Sequence, residues 1–241
     1  MRLQGRTIAL TGATSGIGLR LCERLAQDNR VIAVARDGTK AETLRQRLGV
    51  ETVLADLSTR GGIDLLAETL ANRQKLDGLV HCAAVQHTPH LTAPAFRRDT
   101  IDAEMMLNFN AFVHLAAAVL PVMTARGEGF LMAVNSGLGL VPKRSSAVYC
   151  ASKGALNLFC RSLRAQTRGT GVAVMQAFLP LVDTPMTQGR GSGKLNADDV
   201  AGRILEGIER GRLDHDIGKV KLLRALQRTV PGVAARIMER E

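Results

Sequence analysis

The chain has 241 residues, 46% of them hydrophobic, enough to bury one sizeable core as a single domain over residues 1–241. Its 32 Lys and Arg against 22 Asp and Glu leave a formal charge of +10, but these cations are spread along the chain, which argues for a solvated basic surface and against a nucleic-acid partner. No apolar run approaches the roughly 18 residues of a membrane span, no signal-peptide core precedes the first strand, and Cys22, Cys82, Cys150 and Cys160 lack both C-x-x-C and metal-ligand spacing; we expect a cytoplasmic protein with reduced thiols, no metal and no integral membrane contact.

Strand-like and helical patterns alternate from the start. Residues 6–11 read as a buried strand, 17–28 as a helix, 30–35 as a strand, 40–48 as a helix and 52–55 as a strand. A helix over 63–73 and a strand over 78–83 follow. The second half continues with two long helices, 101–124 and 148–168, around a strand at 129–134, then a sixth strand at 172–178 and a helix at 197–210. Strands apolar on both faces in strict β-α-β-α order predict an α/β fold: a doubly wound parallel sheet between two helical layers, with ligands at the strand carboxyl ends. Gly189, Gly191 and Gly193 make the segment around 181–196 look mobile rather than packed, and we read it as a substrate lid. The tail, 217–241, interleaves Lys219, Lys221, Arg224, Arg228, Arg236 and Arg240 with Val220, Leu222, Leu223, Leu226 and Ile237; it predicts an amphipathic helix broken at Pro231 that docks on the protein or on a neighbouring subunit.

Between the first strand and helix stands Thr11-Gly12-Ala13-Thr14-Ser15-Gly16-Ile17-Gly18. Glycines there let the backbone turn sharply and approach a pyrophosphate, while the following helix offers free N–H groups and the positive end of its dipole. At the end of the second strand an acidic residue would bind the ribose hydroxyls of NAD and repel a 2′-phosphate. The chain has Ala35-Arg36, and the Arg36 guanidinium can meet that phosphate. NADP(H) is the expected cofactor, NAD(H) the second choice. Asp56 and Leu57, after the third strand, lie where they can contact adenine, with a helix cap near Ser58 as the other reading of Asp56.

Tyr149, the single tyrosine, is followed four residues later by Lys153. On a helix the two share a face, so an ammonium sits beside a phenol, favours the phenolate and brings its pKa toward working pH. Tyr149 then serves as general acid or base, while Lys153 can hydrogen-bond the nicotinamide ribose, so that both residues also belong to the cofactor site. Ser136, at the end of the fifth strand, can orient the substrate oxygen. Asn108 sits inside a helix, where asparagine is unfavourable, and is read as holding a water that relays protons from Lys153.

Taken together these motifs resemble the single-domain branch of the short-chain dehydrogenases/reductases, from the glycine loop almost to the C-terminus. That family carries T-G-x-x-x-G-x-G, a helical Asn, Ser and Y-x-x-x-K, matched here by Gly12, Gly16, Gly18, Asn108, Ser136, Tyr149 and Lys153. The resemblance implies a Rossmann fold and interconversion of a small-molecule carbonyl and alcohol. It implies contacts to nicotinamide from Pro180, Val182 and Thr184, and a homodimer or homotetramer formed through the two long helices, for which Leu115, Val119, Leu156 and Phe159 are candidates. Two departures stand out: the family's N-N-A-G is His81-Cys82-Ala83-Ala84, leaving main-chain contacts from Ala83 and Ala84, and Leu181 replaces a glycine after Pro180. Ser136-Gly137-Leu138-Gly139-Leu140-Val141-Pro142 is similar to the branch named after the oxidoreductase of the lipoteichoic-acid D-alanylation operon. An apolar substrate pocket is expected between 85–94, 138–144 and the lid. The competing class is a catalytically idle dinucleotide-sensing or interaction protein on the same fold; such chains usually lose Tyr or Lys, and this one keeps both.

Overall fold

Runs such as Thr7–Thr11 and Val172–Leu179 have no polar face to turn to water, so they are stable only in a sheet covered on both sides. The computed structural model describes residues 1–239 and has that architecture. Strands β1 (Thr7–Thr11), β2 (Arg30–Ala35), β3 (Glu51–Leu54), β4 (Gly78–His81), β5 (Gly129–Ser136), β6 (Val172–Leu179) and β7 (Asp214–Asp216) form one all-parallel sheet in the order β3-β2-β1-β4-β5-β6-β7. Its order reverses between β1 and β4, where Ala9 of β1 lies between Ile32 and Leu79, and sheets of this kind bind ligands at the carboxyl ends beside that reversal.

Alternation along each strand feeds two cores. On one face Ile8, Leu10, Phe130 and Met132 meet Leu21 and Leu25 of α1 (Gly16–Leu25) and Ile204 and Ile208 of α7 (Ala197–Glu209). On the other, Ala9, Ile32, Leu79 and Leu131 meet α3 (Arg60–Ala71), α5 (Ala111–Arg126) and α6 (Ala147–Gln166). Helix α2 (Gly38–Leu48) is capped by Asp37, whose carboxylate accepts from the Lys40 N–H at 3.0 Å, and it ends at Gly49 in the left-handed region.

Four features depart from the sequence reading. The long helix expected at 101–124 runs from Asp99 to Arg126 but is interrupted: α4 (Asp99–Met105) passes through a π-turn, Met106–Asn110, before α5. This 28-residue helix is apolar enough to cross a membrane by length and composition, with a window of mean hydropathy 1.6, although a third of that window is buried inside the protein. Strand β7 gave no apolar signal because it is short, charged and at the sheet edge, joined to β6 by Gln176 N–H to the Leu213 carbonyl (2.8 Å) and Ile217 N–H to the Phe178 carbonyl (3.0 Å). Finally, Leu115, Val119 and Leu156 belong to the interior and leave nothing to pair with another subunit, while Phe159 is packed against the same cluster. Their apolar periodicity reported the sheet-facing stripe.

The basic tail folds as two helices, α8 (Val220–Thr229) and α9 (Pro231–Glu239), parted at the proline as the sequence predicts. Val220, Ala234 and Met238 are buried, and Leu223 and Leu226 pack with Leu138, Leu140 and Val141. Arg224 is bound rather than free: it forks onto Asp216 at 2.6 and 2.7 Å and stacks 4.4 Å over the Phe178 ring. Arg240 lies outside the described residues.

Candidate active site

The glycine loop joins β1 to α1 at the switch point. Gly12 adopts φ +71°, and a Cβ there would lie 2.8 Å from the Ala83 main-chain nitrogen; a Cβ on Gly18 would lie 2.0 Å from the Gly12 carbonyl oxygen. These glycines therefore pack the loop against β4 and against itself. Ser15 precedes α1 in an extended conformation and makes no side-chain cap, so the first N–H groups of the helix stay available. Thr14 and Ile17 are half-buried beside it, and Gly16 abuts the Thr184 side chain. Such a cradle of free helix N–H groups and close-packed glycines fits a dinucleotide pyrophosphate.

Around the cradle the other candidates occupy successive strand ends. Arg36 is exposed after β2. Asp56, exposed after β3, is engaged by the Ser58 hydroxyl at 2.7 Å and N–H at 3.0 Å, which hold its carboxyl below the usual range; the helix cap is Thr59. The Leu57 side chain is buried in the core, so what it offers a nucleotide is main chain. Pro180 and Thr184 are half-buried and Val182 buried after β6, with Thr184 and Thr187 capping the short turn Pro185–Thr187 reciprocally.

The substitution at His81 has a structural answer. The Thr11 hydroxyl oxygen accepts from the Cys82 and Ala83 N–H groups at 3.2 and 3.1 Å, and lies 3.0 Å from His81 Nδ1. His81 Nε2 reaches the Leu107 carbonyl of the π-turn at 3.1 Å. A carbonyl only accepts, so Nε2 carries the proton and Nδ1 accepts from Thr11. Burial, with the Lys153 charge adding to it, lowers the His81 pKa to about 3 and keeps the ring neutral. The ring thus connects the strand before the glycine loop to the helix that carries Asn108.

Asn108 is buried within the π-turn, and both of its amide hydrogens are used. Its Oδ1 accepts from the Val85 N–H at 2.9 Å; its Nδ2 donates to the Val85 carbonyl at 2.9 Å and to Ser152 Oγ at 3.1 Å. The side chain therefore pins the segment after β4 with both of its amide hydrogens, and one lone pair of Oδ1 stays open.

Tyr149 and Lys153 lie one turn apart on α6 and are both buried, with the Lys153 ammonium 5.7 Å from the phenol ring centroid and donating to the Val134 carbonyl at 3.0 Å. Ser136 ends β5; its Oγ accepts from the Leu138 N–H at 3.1 Å and lies on the phenol's side of the site. The expectation of a lowered phenol pKa is not met: burial raises it, the Ser136 hydroxyl only partly opposes this, and the ammonium donates to the Val134 carbonyl. Burial instead lowers Lys153 to about 8.

Residues without a sequence signal complete the site. Buried Asn135 donates to the Lys153 carbonyl (3.3 Å) and to Gln176 Oε1 (2.8 Å), while its Oδ1 accepts from the Ser136 N–H (2.8 Å), so one amide locks β5 to the catalytic helix. Glu104, one turn before Asn108 on the same face, is buried and accepts from the His87 N–H at 3.1 Å; His90 is exposed. The lid is packed rather than loose: Leu195 N–H donates to the Leu181 carbonyl (3.0 Å), Asp183 N–H to the Leu195 carbonyl (2.8 Å), and Lys194 Nζ to the Thr187 carbonyl (2.7 Å). Its glycines supply left-handed turns around Arg190. Among the described residues no group of three His, Cys, Asp or Glu side chains could hold a metal ion.

This arrangement has known counterparts. Residues 6–194 match the short chain dehydrogenase family. The uncharacterized oxidoreductase DltE of Bacillus subtilis is 30% identical over 93% of this chain and 92% of its own. The 1-deoxy-11-beta-hydroxypentalenate dehydrogenase of Streptomyces exfoliatus is 35% identical over 88% of this chain and 82% of its own. A Burkholderia cenocepacia short-chain dehydrogenase solved with NADP superposes with a TM-score of 0.88 at 21% identity, over 99% of both chains. A Sphingobium yanoikuyae short-chain dehydrogenase solved with NADPH gives 0.83 at 24% identity, over 95% of this chain and 94% of that one. The fold, the family match and the relatives agree: this chain belongs to the short-chain dehydrogenase family of oxidoreductases.

Proposed function

We propose that the protein is an NADP(H)-preferring oxidoreductase, also able to use NAD(H), that interconverts a small-molecule carbonyl and its alcohol with Tyr149 as general acid/base. The observation that carries this reading is the group of half-buried Ser136 with buried Tyr149 and Lys153 at the carboxyl end of β5, on the same edge of the sheet as the glycine cradle.

Gly12, Thr14, Ser15, Gly16, Ile17 and Gly18 would hold the pyrophosphate, Arg36 the 2′-phosphate, Asp56 and Leu57 the adenine, and Ala83 and Ala84 the adjoining ribose through main chain. Pro180, Val182 and Thr184 would flank the nicotinamide, which when bound supplies or accepts the hydride. Ser136 orients the carbonyl oxygen and Tyr149 passes it a proton as alkoxide character develops. The high phenol pKa keeps that proton in place until the substrate oxygen needs it. Lys153 then stabilises the phenolate left behind, and Asn135 and Asn108 hold the catalytic helix and the 85–87 segment. In the other direction Tyr149 takes the proton back. The DltE and hydroxypentalenate dehydrogenase likenesses support the reaction class.

Reduction of a panel of carbonyls, followed by NADPH absorbance, tests the reading. Tyr149→Phe keeps the packing and removes the assigned proton donor, so turnover should fall by about 10² to 10⁴ with NADPH affinity near normal. If the variant kept more than about half of the wild-type rate, the proton would come from elsewhere. Nucleotide binding without turnover of any carbonyl would favour the sensing reading.

A further inference from the structure

We propose that Gln86 is a positioning residue that straps the substrate lid to the start of the catalytic helix, so that closing the lid and placing Tyr149 are one event. Arg190, at the lid tip between two glycines in left-handed turns, donates from Nη1 to Gln86 Oε1 at 3.0 Å and from Nη2 to the Gln86 carbonyl at 3.3 Å. Among the described residues the guanidinium makes its hydrogen bonds to Gln86 alone. The other end of the same carboxamide, Nε2, donates to Ser146 Oγ at 3.1 Å. Ser146 is buried, adopts φ +61°, a region L side chains resist, and immediately precedes α6; its carbonyl accepts the Cys150 N–H at 3.0 Å, and Tyr149 is three residues on. One side chain therefore bridges the lid and the most unusual backbone turn in the site.

The segment carrying Gln86 is fixed independently. Asn108 binds the Val85 N–H and carbonyl, and Glu104, one turn earlier, binds the His87 N–H. With the main chain held on both sides, the Gln86 side chain reaches Ser146 and the lid from a rigid base. Opening the lid breaks both Arg190 contacts and leaves a half-buried amide oxygen unpaired; losing the Ser146 contact leaves the positive-φ turn without its side-chain partner. Glutamate would accept from Arg190 and from the Ser146 hydroxyl. Leucine, of similar volume, could do neither.

The kinetic consequence rests on the oxidoreductase reading, but the strap itself can be tested without turnover. Trypsin has cleavage sites in the lid after Arg190 and Lys194, and mass spectrometry locates its cuts. In Gln86→Leu these two cuts should come roughly tenfold faster than in wild type, the change in open population that follows losing a hydrogen bond to a charged group. Gln86→Glu should return to near the wild-type rate, and Ser146→Ala, which severs only the helix arm, should also accelerate the lid cuts. With an accepted carbonyl, Gln86→Leu should lower kcat/KM about tenfold at unchanged NADPH affinity, and Gln86→Glu should restore it. Lid cuts at the wild-type rate in Gln86→Leu, or cuts scattered over the whole chain, overturn the strap. Unchanged lid cleavage in Ser146→Ala overturns the coupling. A wild type that reduces no carbonyl overturns the oxidoreductase reading and leaves the proteolysis to decide.

Discussion

His81 carries a titration that the family's asparagine would not. Its pKa is lowered from 6.5 to about 3 by burial, so the unfolded chain binds a proton that the folded chain does not between those values. Stability therefore falls as pH drops through 6.5 toward 3. His81→Asn should flatten that fall, as followed by urea unfolding between pH 7 and 4; an equal loss in both proteins would mean that His81 is not held neutral. Lys153 acts at the other end of the scale. Burial lowers it from 10.5 to about 8, so the unfolded chain again binds more protons in that window and stability gains from this residue as pH rises from 8 to 10.5. Desolvated Cys22, Cys82 and Cys160, each raised to about 12, pull the opposite way above pH 9, so the informative quantity is the difference between wild type and Lys153→Met. That difference should shift in favour of wild type with rising pH across the window, while the variant loses turnover by at least as much as Tyr149→Phe.

At the scale of elements, we expect the end of β2 to set cofactor choice. Arg36 is exposed there, and the carboxylate next to it, Asp37, is committed to capping α2 through the Lys40 N–H. No acidic side chain competes for a 2′-phosphate, so NADPH should bind at least about tenfold more tightly than NADH, ~1.4 kcal/mol. Arg36→Ala should erase that margin in fluorescence titrations, and equal wild-type affinities would remove Arg36 from the phosphate site. The π-turn at Met106–Asn110 is the second decisive element: it lies between α4 and α5, presents the Leu107 carbonyl to His81, and aims Asn108 at Val85. An asparagine in an apolar helix hinted at something irregular. The local sequence contained no sign of a five-residue turn, because that choice depends on partners more than twenty positions away.

For the whole molecule, assembly is the open face. The helix Asp99–Arg126 is apolar beyond what its sheet contact needs, and the outward side of α6 exposes Ala151 and Leu158. We expect a homodimer or homotetramer through these outward residues rather than through Leu115, Val119 and Leu156. Leu158→Glu should yield monomers in light scattering at micromolar concentration, and a wild-type monomer would refute the assembly.

The alternation of both-face apolar strands with helices, the glycine loop, Arg36 and the spacing of Tyr149 and Lys153 were legible in the sequence, because each depends on a period or on neighbours within a few residues. Asn135, Glu104 and Gln86 were not, since a polar residue declares its role only when a distant strand end or lid comes within hydrogen-bonding range. Strand β7 was missed for want of apolar residues, and the raised Tyr149 phenol because burial, a property of the assembled sheet and helices, dominates it while the Lys153 ammonium is bound to the Val134 carbonyl. Sequence determined which groups exist and which share a helix face; tertiary packing decided which of them see water and which see each other.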